Sequence, residues 1–143
     1  MKIALDEHIP KTVLDAVQQL LEDERIAKIE IVGAVNYVEA PSRSDVPWLR
    51  KFAEDGGKVL ITGDKAMRSR LHERQALLEL GLIVFFLPAN WNNEPFMMRA
   101  AFLLRWWSVI VERAMTSKPS TCWEIPYSWA PNIERIEDVT GPK

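Results

Sequence analysis

The segment Lys58-Val59-Leu60-Ile61-Thr62-Gly63-Asp64 predicts a buried β-strand that ends in a turn and a carboxylate. A short apolar run bounded by turn residues is typical of a strand covered on both faces. The sequence on either side of it, over about residues 44–57 and 66–80, carries apolar residues at helical spacing. A buried strand between two helices indicates an α/β fold with a parallel sheet.

The same alternation continues outward in both directions. Towards the N-terminus we expect strands over residues 3–5 and 29–35, separated by a helix that begins near Pro10. Towards the C-terminus we expect strands over residues 82–87 and about 121–127. This order predicts an α/β/α sandwich, in which helices cover both faces of a parallel sheet.

The length of 143 residues and the hydrophobic content of 48% suit one domain that folds without a disulfide or a metal. We expect an α/β core over residues 1–88, with a helix and an aromatic tail over residues 89–143 packed on it. The helix of residues 94–115 is apolar around most of its surface. It is therefore either the central packing helix of the domain or a helix with one side against a second subunit.

Charge and hydropathy exclude several classes of protein. The 18 Lys and Arg residues against 20 Asp and Glu residues give a formal charge of −2, which excludes a protein that coats nucleic acid through bulk positive charge. Asp6 and Glu7 interrupt the first apolar run too early for a secretory signal, and the uncharged stretch 80–93 is too short to span a bilayer. We expect a cytoplasmic protein that does not enter a membrane. The single Cys122 is expected to be a small buried side chain rather than a nucleophile.

Two carboxylates directly follow predicted strands, Asp6 after the first and Asp64 after the third. Ligands of an open parallel sheet bind beyond the carboxyl ends of its strands, so these acids would meet if the two strands are neighbours. Asp45 would reach the same edge only if its loop wraps back. Converging carboxylates need a cation, and a hard divalent ion such as Mg²⁺ prefers oxygen ligands. Helix capping is the simpler explanation for Asp45 and Asp64 taken singly.

Three segments together resemble the PIN-like domains, the fold of VapC-type ribonuclease toxins and related metal-dependent nucleases. The resemblance covers about residues 1–88 and rests on Leu5-Asp6-Glu7-His8-Ile9-Pro10, on Ser44-Asp45 before a helix, and on Val59-Leu60-Ile61-Thr62-Gly63-Asp64-Lys65. It implies an acidic pocket that binds Mg²⁺ or Mn²⁺ and cleaves RNA phosphodiester bonds. By position, Asp6, Asp45 and Asp64 match the family's catalytic and metal-binding acids, and Thr62 matches the threonine of its Thr-x-Asp motif.

One acid of the PIN-like pattern has no clear equivalent in this sequence. PIN domains supply a further carboxylate from a helix after the first helical hairpin, and Glu7 or Glu39 could replace it here. His8 could act as a general base or a ligand, although an exposed loop residue is the simpler interpretation.

Basic residues crowd the segment that follows Asp64. Candidates to bind the phosphates that flank the scissile bond are Lys65, Arg68 and Arg70, together with Arg43 from the preceding loop. A solvated helical face accounts for the same residues equally well.

The leading hypothesis is a metal-dependent endoribonuclease in which metal-activated water attacks the phosphodiester. By resemblance it would be the toxin of a toxin–antitoxin pair, with a protein antitoxin as partner and a homodimer formed through the 94–115 helix. A receiver-like phosphorylatable signalling domain is an alternative, because Asp6-Glu7 and Asp64 suit its acidic pocket, but no Lys follows the strand of residues 82–87. A third possibility is a non-enzymatic PIN-like binding module.

Overall fold

A computed structural model of the chain describes residues 1–21, 29–38, 45–129 and 132–141. Its strands are β1 (Lys2–Leu5), β2 (Glu30–Gly33), β3 (Gly57–Thr62), β4 (Ile83–Phe86), β5 (Thr121–Glu124) and β6 (Glu137–Asp138). Its α-helices are α1 (Lys11–Leu21), α2 (Val46–Glu54), α3 (Leu71–Glu79) and α4 (Phe96–Thr116). Short 3₁₀ helices cover Ala34–Tyr37, Lys65–Arg68, Ala89–Asn93 and Ile133–Arg135.

The strands form one sheet in the order β2-β1-β3-β4-β5-β6. Strands β1 to β5 are parallel to one another, and β6 pairs with β5 in the antiparallel direction. The predicted parallel sheet is confirmed, and the antiparallel edge strand is an addition that the sequence pattern did not indicate.

Helices cover both faces of this sheet. Ile61 and Phe85 lie in a core shared with α1 and α4, whereas Leu60 and Val84 lie in a core shared with α2 and α3. All four side chains are fully buried. They divide between the two cores because successive residues of a strand point to opposite faces of the sheet. The molecule is therefore a mixed α/β domain with three layers, as the alternation of strands and helices predicts.

The prediction of a helix over residues 66–80 is wrong about where the helix begins. A 3₁₀ helix over Lys65–Arg68 comes first, and α3 begins only at Leu71. The Asp64 carboxylate accepts a hydrogen bond from the Ala66 N–H at 3.1 Å, which favours a tight local turn over a continuous helix. The N-cap interpretation of Asp64 is thus confirmed for the 3₁₀ helix.

Other boundaries differ by a few residues. The second strand ends at Gly33, because the 3₁₀ helix of Ala34–Tyr37 follows, and the fifth ends at Glu124. Asp45 is the N-cap residue of α2, but its carboxylate accepts from the Trp48 indole at 2.9 Å rather than from a backbone N–H. The proposed cap Ser44 lies outside the described residues.

Helix α4 is covered on two sides from within the chain. Its fully buried side chains Leu103, Trp106 and Ile110 lie in the core with α1. On another side Arg113 donates to the Ile133 carbonyl at 3.0 Å, and Trp129 packs edge-to-face on Trp106. The central packing role of α4 is confirmed. Among the described residues, no helix combines the length and apolar character needed to cross a bilayer.

Candidate active site

The acidic site lies at the carboxyl edge of the sheet, beyond two neighbouring strands. Strand β1 pairs directly with β3, and the Asp6 N–H donates to the Ile61 carbonyl at 3.1 Å. Asp6 and Asp64 therefore follow adjacent strands. The prediction that these two acids meet at one sheet edge requires this pairing of β1 with β3.

Thr62 connects these two acids. Its hydroxyl accepts a hydrogen bond from the Asp64 N–H at 2.9 Å and donates a short one to Oδ2 of Asp6. Thr62 is fully buried and Asp6 is 3% exposed, so water does not compete for these bonds. The hydroxyl is the reason that a threonine suits this position of the Thr-x-Asp motif, because valine would leave the Asp6 carboxylate without this donor.

His8 is held against Asp6. The His8 N–H donates to Asp6 Oδ1 at 3.1 Å, and the ring Nδ1 lies 3.6 Å from Asp6 Oδ2. The contact with Asp6 raises the pKa of His8 to about 9, with help from the charges of Asp64 and Glu7 and against the effect of burial. In the protein without metal, this raised pKa favours the protonated imidazole, which pairs with Asp6.

Arg70 occupies the centre of a second group of acids. Its Nη1 lies 3.0 Å from Glu73 Oε1, 3.1 Å from Asp64 Oδ2 and 3.9 Å from Asp45 Oδ2. Three carboxylates from three elements thus surround one cationic nitrogen: the start of α2, the turn after β3 and the first turn of α3. Contact with Glu73 is the main cause that raises the pKa of Arg70.

Glu73 is an acid of this site that was not predicted from the sequence. Its side chain is fully buried, and burial raises its pKa while Arg70 lowers it. The sequence signal was its spacing, because Glu73, Ala76 and Leu77 share the buried face of α3. Of the two substitutes proposed instead, Glu7 is exposed and Glu39 lies outside the described residues.

A divalent cation needs several oxygen ligands that converge on one point. Within the described ranges, no three His, Cys, Asp or Glu side chains form a group that could hold an ion as they stand. The structure therefore does not bring Asp6, Asp45 and Asp64 together as one ligand set. Asp6 contacts Thr62 and His8, whereas Asp45 and Asp64 contact Arg70.

The three carboxylates around Arg70 supply the oxygen ligands that a hard cation prefers, but the guanidinium occupies the space between them. Bonds from Mg²⁺ to oxygen measure about 2.0–2.1 Å, shorter than the contacts of Arg70 Nη1. Metal binding thus requires Arg70 to leave and the carboxylates to draw closer together, Asp45 most of all because it lies 3.9 Å from the guanidinium nitrogen.

Of the predicted phosphate-binding residues, Arg70 and Arg68 have different surroundings. Arg70 binds carboxylates, and Arg68 lies where its charge acts on Cys122, on the α2 and α3 side of the sheet. Lys65 lies in the 3₁₀ helix next to Asp64, and Arg43 falls outside the described residues. Cys122 is buried, as expected, and burial raises its pKa to about 11.

A scan against protein-family models matches residues 1–89 to the family described as PIN like domain. The chain belongs to the PIN-like domain family. The matched range contains all five acidic and hydroxyl side chains of the site, which are Asp6, Asp45, Thr62, Asp64 and Glu73. Helix α4 and the tail lie beyond it. A search of curated proteins and a search of solved structures found no match. PIN-like domains are often nucleases, which act on nucleic acids and usually use divalent metals.

Proposed function

We propose that this PIN-like domain is a metal-dependent endoribonuclease. The observation that carries the proposal is the convergence of Asp45, Asp64 and Glu73 on one cationic nitrogen, at the same sheet edge as Asp6. Acids that converge at the carboxyl edge of a parallel sheet lie where such folds bind their ligands. The family's frequent nuclease activity supports the same conclusion.

In this proposal, Asp6, Asp45, Asp64 and Glu73 hold Mg²⁺ or Mn²⁺ in the place of the guanidinium. The bound ion supplies polarisation of a phosphoryl oxygen and activation of water. Thr62 keeps the Asp6 carboxylate in one orientation through its hydrogen bond. Arg70, once it leaves the acids, is a cation that can pair with the phosphates of the substrate.

The toxin role and the partners belong to the same proposal. Resemblance to VapC-type toxins supports a toxin whose activity a protein antitoxin blocks, and the outer surface of α4 supports a homodimer. Met97 and Met115 are 71% and 64% exposed, and their spacing of eighteen residues places them on one face of that helix.

Metal-dependent RNA cleavage by purified variants tests the proposed activity. We expect wild-type protein to cleave a fluorogenic single-stranded RNA with Mg²⁺ or Mn²⁺ and to stop in chelator. Asp64→Asn and Asp6→Asn should each lower the rate by about a hundredfold or more, because metal polarisation contributes several kcal/mol. Asp15→Asn is the matched control, since Asp15 is an exposed carboxylate on α1 that pairs only with Lys11 among the contacts described. Cleavage that continues in both site variants, or that is undiminished in chelator, would contradict the proposal.

A non-enzymatic PIN-like module is the second candidate, and Arg70 is the observation that favours it. The guanidinium already pairs with Asp64 and Glu73, so the folded site has a cation without a metal. Calorimetric titration with Mn²⁺ separates the two candidates: binding at or below millimolar metal supports the nuclease, and no binding supports the module.

A further inference from the structure

A pocket of about 400 Å³ lies in the part of the chain beyond the family match. Its walls are mainly aromatic, with one guanidinium on the rim, and include Trp91, Phe102, Trp106, Tyr127, Trp129 and Arg105. Pockets of this size and composition are typical of small-molecule sites. The pocket contributes nothing to the acidic site's own contacts, so its presence needs a separate explanation.

The position of the pocket connects it to the proposed chemistry. Trp91 lies in the 3₁₀ helix that follows β4, at the same edge of the sheet as Asp64. The next residue, Asn92, donates to the Gly63 carbonyl at 3.2 Å. Gly63 permits this close approach, since a Cβ there would lie 3.0 Å from Asn92 Oδ1. One turn of backbone therefore borders both the pocket and the residue before Asp64.

The lining is suited to a flat ring with an anionic group attached. Trp129 is 38% exposed and packs edge-to-face on Trp106, with ring centroids 5.0 Å apart. The Arg105 guanidinium lies 5.7 Å from the centre of the Trp129 ring and is exposed. Trp106 lines the pocket, and its buried indole N–H has no hydrogen-bond partner among the described residues.

The far rim is fixed by a polar contact. The Tyr127 hydroxyl donates to Glu94 Oε1 at 2.8 Å, which ties the segment after β5 to the start of α4. The other carboxylate oxygen of Glu94 can accept a hydrogen bond from an amino group on the ring of a bound ligand. Aromatic walls, donors and acceptors, and a guanidinium at the mouth are the features with which proteins bind unstacked nucleobases and their phosphates.

We propose that this pocket binds one unstacked nucleotide of single-stranded RNA, with the base against the aromatic walls and the phosphate at Arg105. The proposal rests on the proposed function and narrows its substrate class. Bases of a duplex are stacked and paired, so only single-stranded RNA can place a base here while its backbone reaches the acids. The pocket thus holds a nucleotide near the one that is cut.

Binding of a short RNA in chelator tests the pocket without cleavage. The probe is a fluorescein-labelled ten-nucleotide RNA of mixed sequence, used single-stranded and annealed to its complement. We expect the single strand to bind more tightly than the duplex. Trp129→Ala should weaken single-strand binding by roughly five- to 150-fold, which is the usual range for the loss of one stacking side chain. Arg105→Ala should weaken it too and cannot unfold the domain, because Arg105 is exposed. Leu20→Ala, at an exposed leucine on α1 outside the pocket, is the control.

Titration with AMP or UMP, followed by NMR of the indole N–H groups, separates this proposal from the proposed function. Shifts at Trp106 and Trp91 that Trp129→Ala abolishes support the pocket, even if the protein cleaves no RNA. Metal-dependent cleavage without such shifts, and with equal RNA affinity in all variants, overturns the pocket and leaves the nuclease. A change of oligomeric state in Trp129→Ala, without nucleotide-dependent shifts, overturns it as well, because a second copy of the chain would then fill the pocket.

Discussion

Arg70 determines the electrostatics of the acidic site. Its guanidinium compensates Asp64 and the fully buried Glu73, and it lies within 3.9 Å of Asp45. A buried carboxylate that loses its partner is strongly destabilising, because neither water nor another cation replaces the lost interaction. The folded protein therefore depends on a cation at this position, whether the guanidinium or a metal.

We expect Arg70→Met to lower the free energy of unfolding by about 1–3 kcal/mol at pH 7, less than for a fully buried pair because Arg70 is partly exposed. The loss should shrink as the pH falls towards the ordinary pKa of glutamate, since burial raises the pKa of Glu73 and protonation removes the repulsion. Millimolar Mn²⁺ should raise the Tm of Arg70→Met more than that of the wild type, as a replacement cation.

Denaturant unfolding and thermal melts measure both effects, with Arg50→Met on the exposed surface of α2 as the control. If Arg70→Met is as stable as Arg50→Met at pH 7, the guanidinium does not compensate the acids.

Cys122 gives a pH dependence far from the acidic site. Burial raises its pKa from 9.0 to about 11, so the folded protein keeps the proton that the unfolded chain releases. This contribution to stability is complete below pH 9 and is lost as the pH rises through 11, by roughly 3 kcal/mol in total. We expect the stability of the wild type to fall more steeply between pH 9 and pH 11 than that of Cys122→Ala. If the free energy of unfolding, measured in urea, changes equally with pH in the two proteins, the thiol is not shielded from water.

Some site residues are visible in the sequence and others depend on the fold. Asp6 and Asp64 were predictable, because an acid directly after a buried strand must lie at the carboxyl edge. Glu73 was not, since its burial depends on how α3 packs over the end of β3. The role of Arg70 was missed for the same reason: a basic residue in a charged segment gives no sign of which acids it will face.

At the scale of elements, local hydrogen bonds moved the boundaries that periodicity predicted. The 66–80 pattern continues without interruption, yet the Asp64 side chain caps a 3₁₀ helix and delays α3 until Leu71. Strands β1, β3 and β4 were predictable because each contains a run of buried apolar residues. The two-residue strand β6 carries no such run and escaped prediction.

The outer face of α4 provides an element-scale test of the homodimer. Met97→Asp and Met115→Asp place charges on the face that the proposal assigns to the second subunit. We expect sedimentation to show a dimer for the wild type at micromolar concentration and a monomer for each variant. Leu20→Asp, at a 59% exposed leucine on α1, is the matched control and should remain dimeric. A wild-type protein that sediments as a monomer would contradict the proposed homodimer.

At the scale of the whole molecule, the net charge of −2 conceals a strong local separation. Four acids gather at one edge of the sheet, and the cations nearest to them, Arg70 and His8, are both bound to those acids. The total charge excludes indiscriminate coating of nucleic acid, as the composition indicated, but not the binding of a short single strand at that edge.

The most direct test of the metal-dependent site is anomalous diffraction from a crystal of the protein soaked in Mn²⁺. We expect a peak among the carboxylates of Asp6, Asp45, Asp64 and Glu73, with the Arg70 guanidinium withdrawn from its present position. A map at millimolar Mn²⁺ that shows Arg70 still bound to Asp64 and Glu73, with no peak beside them, would contradict the account.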